Sequence, residues 1–189
     1  MKAKQITIKK RIQNKGFTLV ELLVSISVFS LIVSAMSGAF ISTIRAQRKS
    51  VAFQQLLEQT SYLEEYMSRS IRMGKKDISG ACIGVKSNYE ITRDDKGIKF
   101  LNYNKDCQEF YVSDSQLWEN KNGVDLALTS SNLIVESINI ELSGNSQADN
   151  FQPRVTIFLK VKGAGSKPEE QPEIKIQTTI SQRNPDVQY

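Results

Sequence analysis

The chain predicts an α+β fold, a long N-terminal α-helix packed on an antiparallel β-sheet head, and three patterns carry that prediction. From Phe17 to Ile44 the residues are almost wholly apolar or small, with Glu21 the only charge. Residues 46–73 contain neither proline nor glycine, and Phe53, Leu56, Leu57, Leu63, Met67 and Ile71 recur at spacings of three, four and seven. Near the C-terminus apolar side chains alternate instead, in three sets: Ile134, Ile138, Ile140, Leu142; Val155, Ile157, Leu159, Val161; and Ile174, Ile176, Ile180, with Thr178 completing the last.

The first run is long enough to span a bilayer as a helix. Ahead of it stand Lys2, Lys4, Lys9, Lys10, Arg11 and Lys15 with no acid, whereas only Arg45, Arg48 and Lys49 follow closely. That bias keeps the N-terminus in the cytoplasm and puts everything from about residue 45 outside. A secretory signal would have a shorter apolar core ending in a small-residue cleavage site, and this core is too long. A plain signal anchor leaves Glu21 unexplained, because an ionised carboxylate in hydrocarbon costs about 2.5–3.5 kcal/mol on the lenient insertion scale. A residue that costly calls for a partner.

Gly16-Phe17-Thr18-Leu19-Val20-Glu21-Leu22-Leu23-Val24 resembles the class III leader junction of type IV pilins and of the pseudopilins of type II secretion and DNA-uptake systems. The resemblance covers roughly the first 40 residues and implies that prepilin peptidase cuts after Gly16 on the cytoplasmic side. It further implies that the new amine of Phe17 is methylated, and that Glu21, the fifth mature residue, meets the N-terminal amine of a neighbouring subunit. Opposite charges meeting in low dielectric neutralise a burden neither carries well alone. Glu21 is thus read as an assembly residue. Many pilins carry proline near the position of Gly38; this chain does not, and glycine there is a weaker breaker or a packing residue. Ser30, Ser34 and Gly38, four residues apart, give a small-residue face for close helix packing.

Six of the 25 basic residues lie in the leader, so its removal leaves 19 against 20 acidic ones and moves the formal charge from +5 to −1. Nucleic-acid binding, which needs a retained basic stripe, is therefore unsupported. The remnant Arg69, Arg72, Lys75 and Lys76 suits a helix C-terminus. Opposite the apolar stripe lie Arg48, Lys49, Gln54, Gln55, Glu58, Glu65 and Arg72, so the membrane helix continues as an amphipathic one. Phe17 to Met73 as one helix would measure about 85 Å, and Gly74 supplies its stop.

Beyond Gly74, Asn88–Arg93, Ile98–Tyr103 and Glu109–Val112 are strand candidates, with Asp94-Asp95-Lys96-Gly97 a hairpin turn rather than a calcium loop. Cys82 and Cys107, the only cysteines, would face an oxidising exterior and are read as a disulfide. Pilins often bridge a C-terminal loop instead, so the usual receptor-facing loop does not follow here. Two cysteines without any histidine are too few ligands for zinc. The three late segments form an antiparallel meander whose inner face the helix stripe covers. Gly144–Gln152 and Gly163–Pro172 read as exposed, mobile polar loops, and Asn184–Tyr189 as a loose tail. Trp118, before a second turn at Asn122-Gly123, reads as a packing residue rather than a binding platform.

No histidine is present to act as a base, and the segment Gly163 to Pro168 leads into prolines rather than a helix. The expectation is a structural protein without catalytic residues, cofactor or metal: a minor pilin or pseudopilin, single-pass in the cytoplasmic membrane and then part of a filament on the surface or in the periplasm. Its expected partners are other pilin or pseudopilin subunits, prepilin peptidase, the inner-membrane platform protein and membrane lipid. The expected division is leader 1–16, transmembrane half 17–44, amphipathic half 45–73, β-rich head 74–183 and tail 184–189. The competing reading is an extracytoplasmic binding, adhesive or sensory head on an uncleaved anchor.

Overall fold

The computed structural model describes residues 16–145 and 151–183; most of the leader, the centre of the Gly144–Gln152 loop and the tail lie outside them. By contacts the chain divides into two units, residues 1–44 and 45–189. One helix, α1 (Leu19–Arg72), contributes to both. It begins two residues after Phe17 because Thr18 caps it, and it runs through Gly38 without a break.

Within the second unit α1 buries Leu56, Thr60, Leu63, Met67 and Ile71. This stripe is narrower than the apolar spacing predicts. Phe53 is 42 % and Leu57 40 % exposed: Phe53 lies before the first buried residue, and Leu57 sits about 100° round the helix from Leu56. Thr60 takes the place between, its hydroxyl satisfied by donating to the Leu56 carbonyl at 2.6 Å.

The strands form two separate antiparallel sheets, the second of them the expected three-strand meander. The first, in order along the sheet, is β1 (Glu90–Thr92), β2 (Gly97–Leu101), β3 (Cys107–Ser113), β4 (Gln116–Lys121) and β5 (Val124–Ala127); the second is β6 (Leu133–Ser143), β7 (Arg154–Gly163) and β8 (Glu173–Ser181). The turns of the first sheet use left-handed backbone. Arg93, Asp94 and Asp95 have φ of 54°, 53° and 65°, and the two-residue turns Asp114-Ser115 and Asn122-Gly123 are positive at both positions, as a tight hairpin matched to strand twist requires.

One core joins the pieces: the α1 stripe meets Ile98, Phe100, Phe110 and Leu117 from the first sheet and Leu133, Val135, Ile138, Ile140, Val155, Ile157, Leu159, Val161 and Ile180 from the second. The expected alternation holds in β7, but in β6 a bulge intervenes. Val135 pairs with Val161 and Ser137 with Lys160, leaving Glu136 as an extra residue. The parity therefore flips, so Leu133 and Val135, not Ile134, share the inner face with Ile138 and Ile140. Glu136 is held on the outer side by Lys160 at 2.7 Å and Lys162 at 3.6 Å. Trp118 is half-buried, its indole N–H donating to the Ser113 carbonyl at 3.2 Å.

The last turn of α1 is fastened at its carbonyls, which have no partner inside the helix. Ile71 O accepts from the buried Tyr89 hydroxyl at 2.7 Å, Arg72 O from the backbone of Arg183 at 2.8 Å and Gly74 O from the Gln182 amide at 3.0 Å. Gly74 does not stop the helix through a left-handed conformation. A Cβ there would meet Ile71 O at 3.0 Å and the Tyr89 ring at 3.3 Å, so what it provides is room for Tyr89. Of the basic remnant, Arg69 pairs with Glu65 at 2.8 Å while Lys75 stacks over Tyr103; Arg69 and Arg72 occupy the last helical turn. The segment Gly163–Pro172 contains a single 3-10 turn, Pro168–Glu170, and its ends are tied by Gly163 N–H to Pro172 O at 2.9 Å.

Between α1 and β1 the chain winds round Asp77, which is 1 % exposed. One carboxylate oxygen accepts from the Ser79 N–H, the Ser79 hydroxyl and the Gly80 N–H at 2.8–3.1 Å; the other accepts from Cys82 N–H at 2.7 Å and Ile83 N–H at 3.1 Å. Cys82, so placed, is bonded to Cys107 at the start of β3. The Cys82→Ser, Cys107→Ser double variant is expected to lose about 3 kcal/mol, the denatured-state restraint of a loop this long. It should appear as a lower urea midpoint, followed by the fluorescence of the single tryptophan on the detergent-solubilised chain.

Candidate assembly site

The residues around the junction build a helix start of defined chemistry. Gly16, Phe17 and Thr18 precede the first helical residue. Thr18 donates to Glu21 Oε2 from its backbone N–H at 3.3 Å and from its hydroxyl at 3.2 Å, while Glu21 returns its own N–H to Thr18 Oγ1 at 3.2 Å. This is a reciprocal capping box, with the acid in the first turn where the helix end carries partial positive charge. The helix itself thus offsets part of the cost of Glu21 in an apolar setting. Thr18 is a functional residue beyond those expected above, and Thr-x-x-Glu before an apolar run is the signal for such a cap. Phe17 is 75 % exposed, and a Cβ added at Gly16 would meet nothing within 4 Å. The chain's own packing does not demand glycine at position 16.

Every large apolar side chain from Leu19 to Ile41 is at least 42 % exposed, and α1 is long and apolar enough to cross a membrane. On this surface Ser30 donates to Ile26 O and Ser34 to Ser30 O, both at 2.8 Å. Their hydroxyls are satisfied within the helix and leave a small-side-chain face continuing to Gly38, where an added Cβ would also meet open space. Among the described residues no group of three or more His, Cys, Asp or Glu side chains is disposed to hold a metal.

The clearest buried polar contact between α1 and the first sheet is structural. Glu119 accepts from the Tyr66 hydroxyl at 2.8 Å and from the Gln108 amide on the same oxygen; burial and this carboxylate push the Tyr66 phenol up to about 12.

A single long helix packed on antiparallel sheets, with an apolar start exposed along its length, is the α+β architecture of pilin-like proteins. The sequence agrees at the junction itself: the prokaryotic N-terminal methylation motif, which is the class III leader of type IV pilins, matches residues 11–37. The motif is the one that opens type IV pilin- and pseudopilin-like prepilins, and the apolar helix fits a membrane anchor. No curated protein and no solved structure matches the chain.

Proposed function

We propose that this chain is a minor pilin or pseudopilin, a structural subunit cut by prepilin peptidase after Gly16, N-methylated at Phe17 and assembled through its N-terminal helix into a type IV pilus or a related secretion or DNA-uptake filament. The observation that carries this reading is the methylation motif enclosing a capped helix start that places Glu21 in the first turn, close to the future N-terminus. On this reading residues 1–16 are the discarded leader, 17–44 the transmembrane and assembly half of the helix, 45–73 its amphipathic half, 74–183 the head and 184–189 a tail. Ser30, Ser34 and Gly38 serve helix packing in the bundle, and the Cys82–Cys107 bridge strengthens the head. Other pilins, the peptidase, the inner-membrane platform protein and lipid are the partners, with the head outside the cytoplasmic membrane.

Intact mass and N-terminal analysis of chain recovered from membranes of peptidase-containing cells test it. The expected product begins with N-methylated Phe17, and Gly16→Leu is expected to keep its leader. A wild-type chain that retains residues 1–16 would mean an anchored binding or sensory head instead.

A further inference from the structure

Among the described residues each sheet ends in an unpaired edge, and two of these edges are complementary. In β5 all four residues are exposed, with Val124 at 70 % and Leu126 at 59 %. Leu126 stands opposite Glu119, on the face turned to α1, and Asp125 points to the outer face, where its Oδ1 accepts from Tyr111 Oη at 2.8 Å and Asn120 Nδ2 at 2.7 Å. In β8 the order is reversed in charge: Ile174 and Ile176 are half-buried on the inner face, and the Lys175 side chain is 74 % exposed on the outer one.

Backbone direction matches as well. Hydrogen-bonded and non-hydrogen-bonded pairs alternate along an antiparallel ladder. Leu128 N–H bonds to Leu117 O, and Trp118 pairs with Ala127 and Asn120 with Asp125. The N–H and C=O groups of Asp125 and Ala127 therefore point off the sheet. In the second sheet Gly163 N–H bonds to Pro172 O at one end and Gln182 N–H to Pro153 O at the other. Counting from either end turns the backbone groups of Glu173 and Lys175 outward too.

We propose that β5 of one copy pairs antiparallel with β8 of a second, with Asp125 opposite Lys175. This register sets Ala127 against Glu173, and on the inner face Leu126 against Ile174 and Val124 against Ile176. Pairing like edges about Asp125 or about Lys175 would instead oppose Asp125 to Asp125 or Lys175 to Lys175, which cross-strand pairs penalise, and a β8–β8 register that opposes Glu173 to Lys175 would link Ile174→Cys chains to one another rather than to Leu126→Cys. The contact is head-to-tail, each copy keeping one free edge of each kind, so it propagates as an open array rather than closing as a dimer. It rests on the reading of the chain as a filament subunit and names the surface through which neighbouring heads would meet.

Leu126 and Ile174 would form a non-hydrogen-bonded pair, with Cα atoms about 4.5 Å apart and within disulfide reach. The full-length chain carrying Leu126→Cys and Ile174→Cys, expressed with its peptidase and mildly oxidised in membranes, is expected to give a covalent ladder of dimers, trimers and longer species. Each single variant alone should stay monomeric, and the two co-expressed should stop at a dimer. In the double-cysteine chain Asp125→Lys or Lys175→Asp is expected to reduce the ladder at least about tenfold, and both together to restore it. An unchanged tryptophan spectrum verifies that each variant folds. Dimers from Leu126→Cys alone, no ladder, or no rescue by the charge swap would overturn the pairing. Leader removal is read in the same samples: processed chain without a ladder overturns the edge pairing only, whereas a ladder on unprocessed chain upholds it and overturns the filament reading.

Discussion

Asp77→Ala is expected to cost the head about 3–5 kcal/mol, because the variant leaves the N–H groups of Ser79, Gly80, Cys82 and Ile83 without the acceptor they share. Asp77→Asn should do little better. Its amide has one acceptor oxygen for donors that approach from two sides, and its NH2 would face N–H groups. Burial pushes the Asp77 carboxyl up, but the bonds from Cys82, Ile83 and Ser79 outweigh it and hold the carboxyl well below the usual carboxylate range. A folded value below the unfolded one of about 3.9 means that the stabilisation is complete above that pH and is lost as pH falls through the folded value. Wild-type chain should therefore weaken below about pH 4, and Asp77→Asn should show a shallower acid slope, as urea midpoints between pH 2 and 7 would reveal. The slope will not vanish, because Glu65, Asp125 and Glu136 are lowered too, chiefly by hydrogen bonds from Arg69, Asn120 and Lys160.

Glu21→Ala is expected to insert in the membrane normally and yet drop out of filaments to background. The alanine removes two things at once, the cap of α1 and the negative charge. Glu21→Gln separates them, since glutamine at this position still closes a capping box but offers no charge to a neighbour's amine. If the charge is what assembly needs, Glu21→Gln fails as completely as Glu21→Ala in shear-released filament fractions, with membrane levels unchanged. Wild-type incorporation of Glu21→Gln would assign the residue to the helix start alone.

The elements that could be read from the sequence are those whose pattern is local and uninterrupted. The apolar run, the pairing of Cys82 with Cys107, and the alternation in β7 are of that kind, and the structure has each of them. A single inserted residue was enough to defeat alternation in β6, because Glu136 is polar and the bulge it occupies leaves no mark of its own. β4 and β5 went unread for a different reason: β4 turns Glu119 inward, where only Tyr66 and Gln108 make a carboxylate acceptable, and β5 is short and exposed. The cradle round Asp77 is built almost wholly of backbone N–H groups, which no residue pattern announces. At the junction the motif is plain, while the cap that Thr18 makes with Glu21 is marked only by the Thr-x-x-Glu spacing within it.

The fastening at the end of α1 sets where a pull on the helix is carried. Tyr89 reaches Ile71 from the segment leading into β1, while Gln182 and Arg183 reach Gly74 and Arg72 from the end of β8. Tension arriving along the amphipathic half of the helix is delivered within one turn to both sheets, through the chain just before the first and just after the last strand. The sheets then bear load together, and these three bonds must yield along with the buried stripe from Leu56 to Ile71 and the Tyr66–Glu119 bond before the helix can peel away.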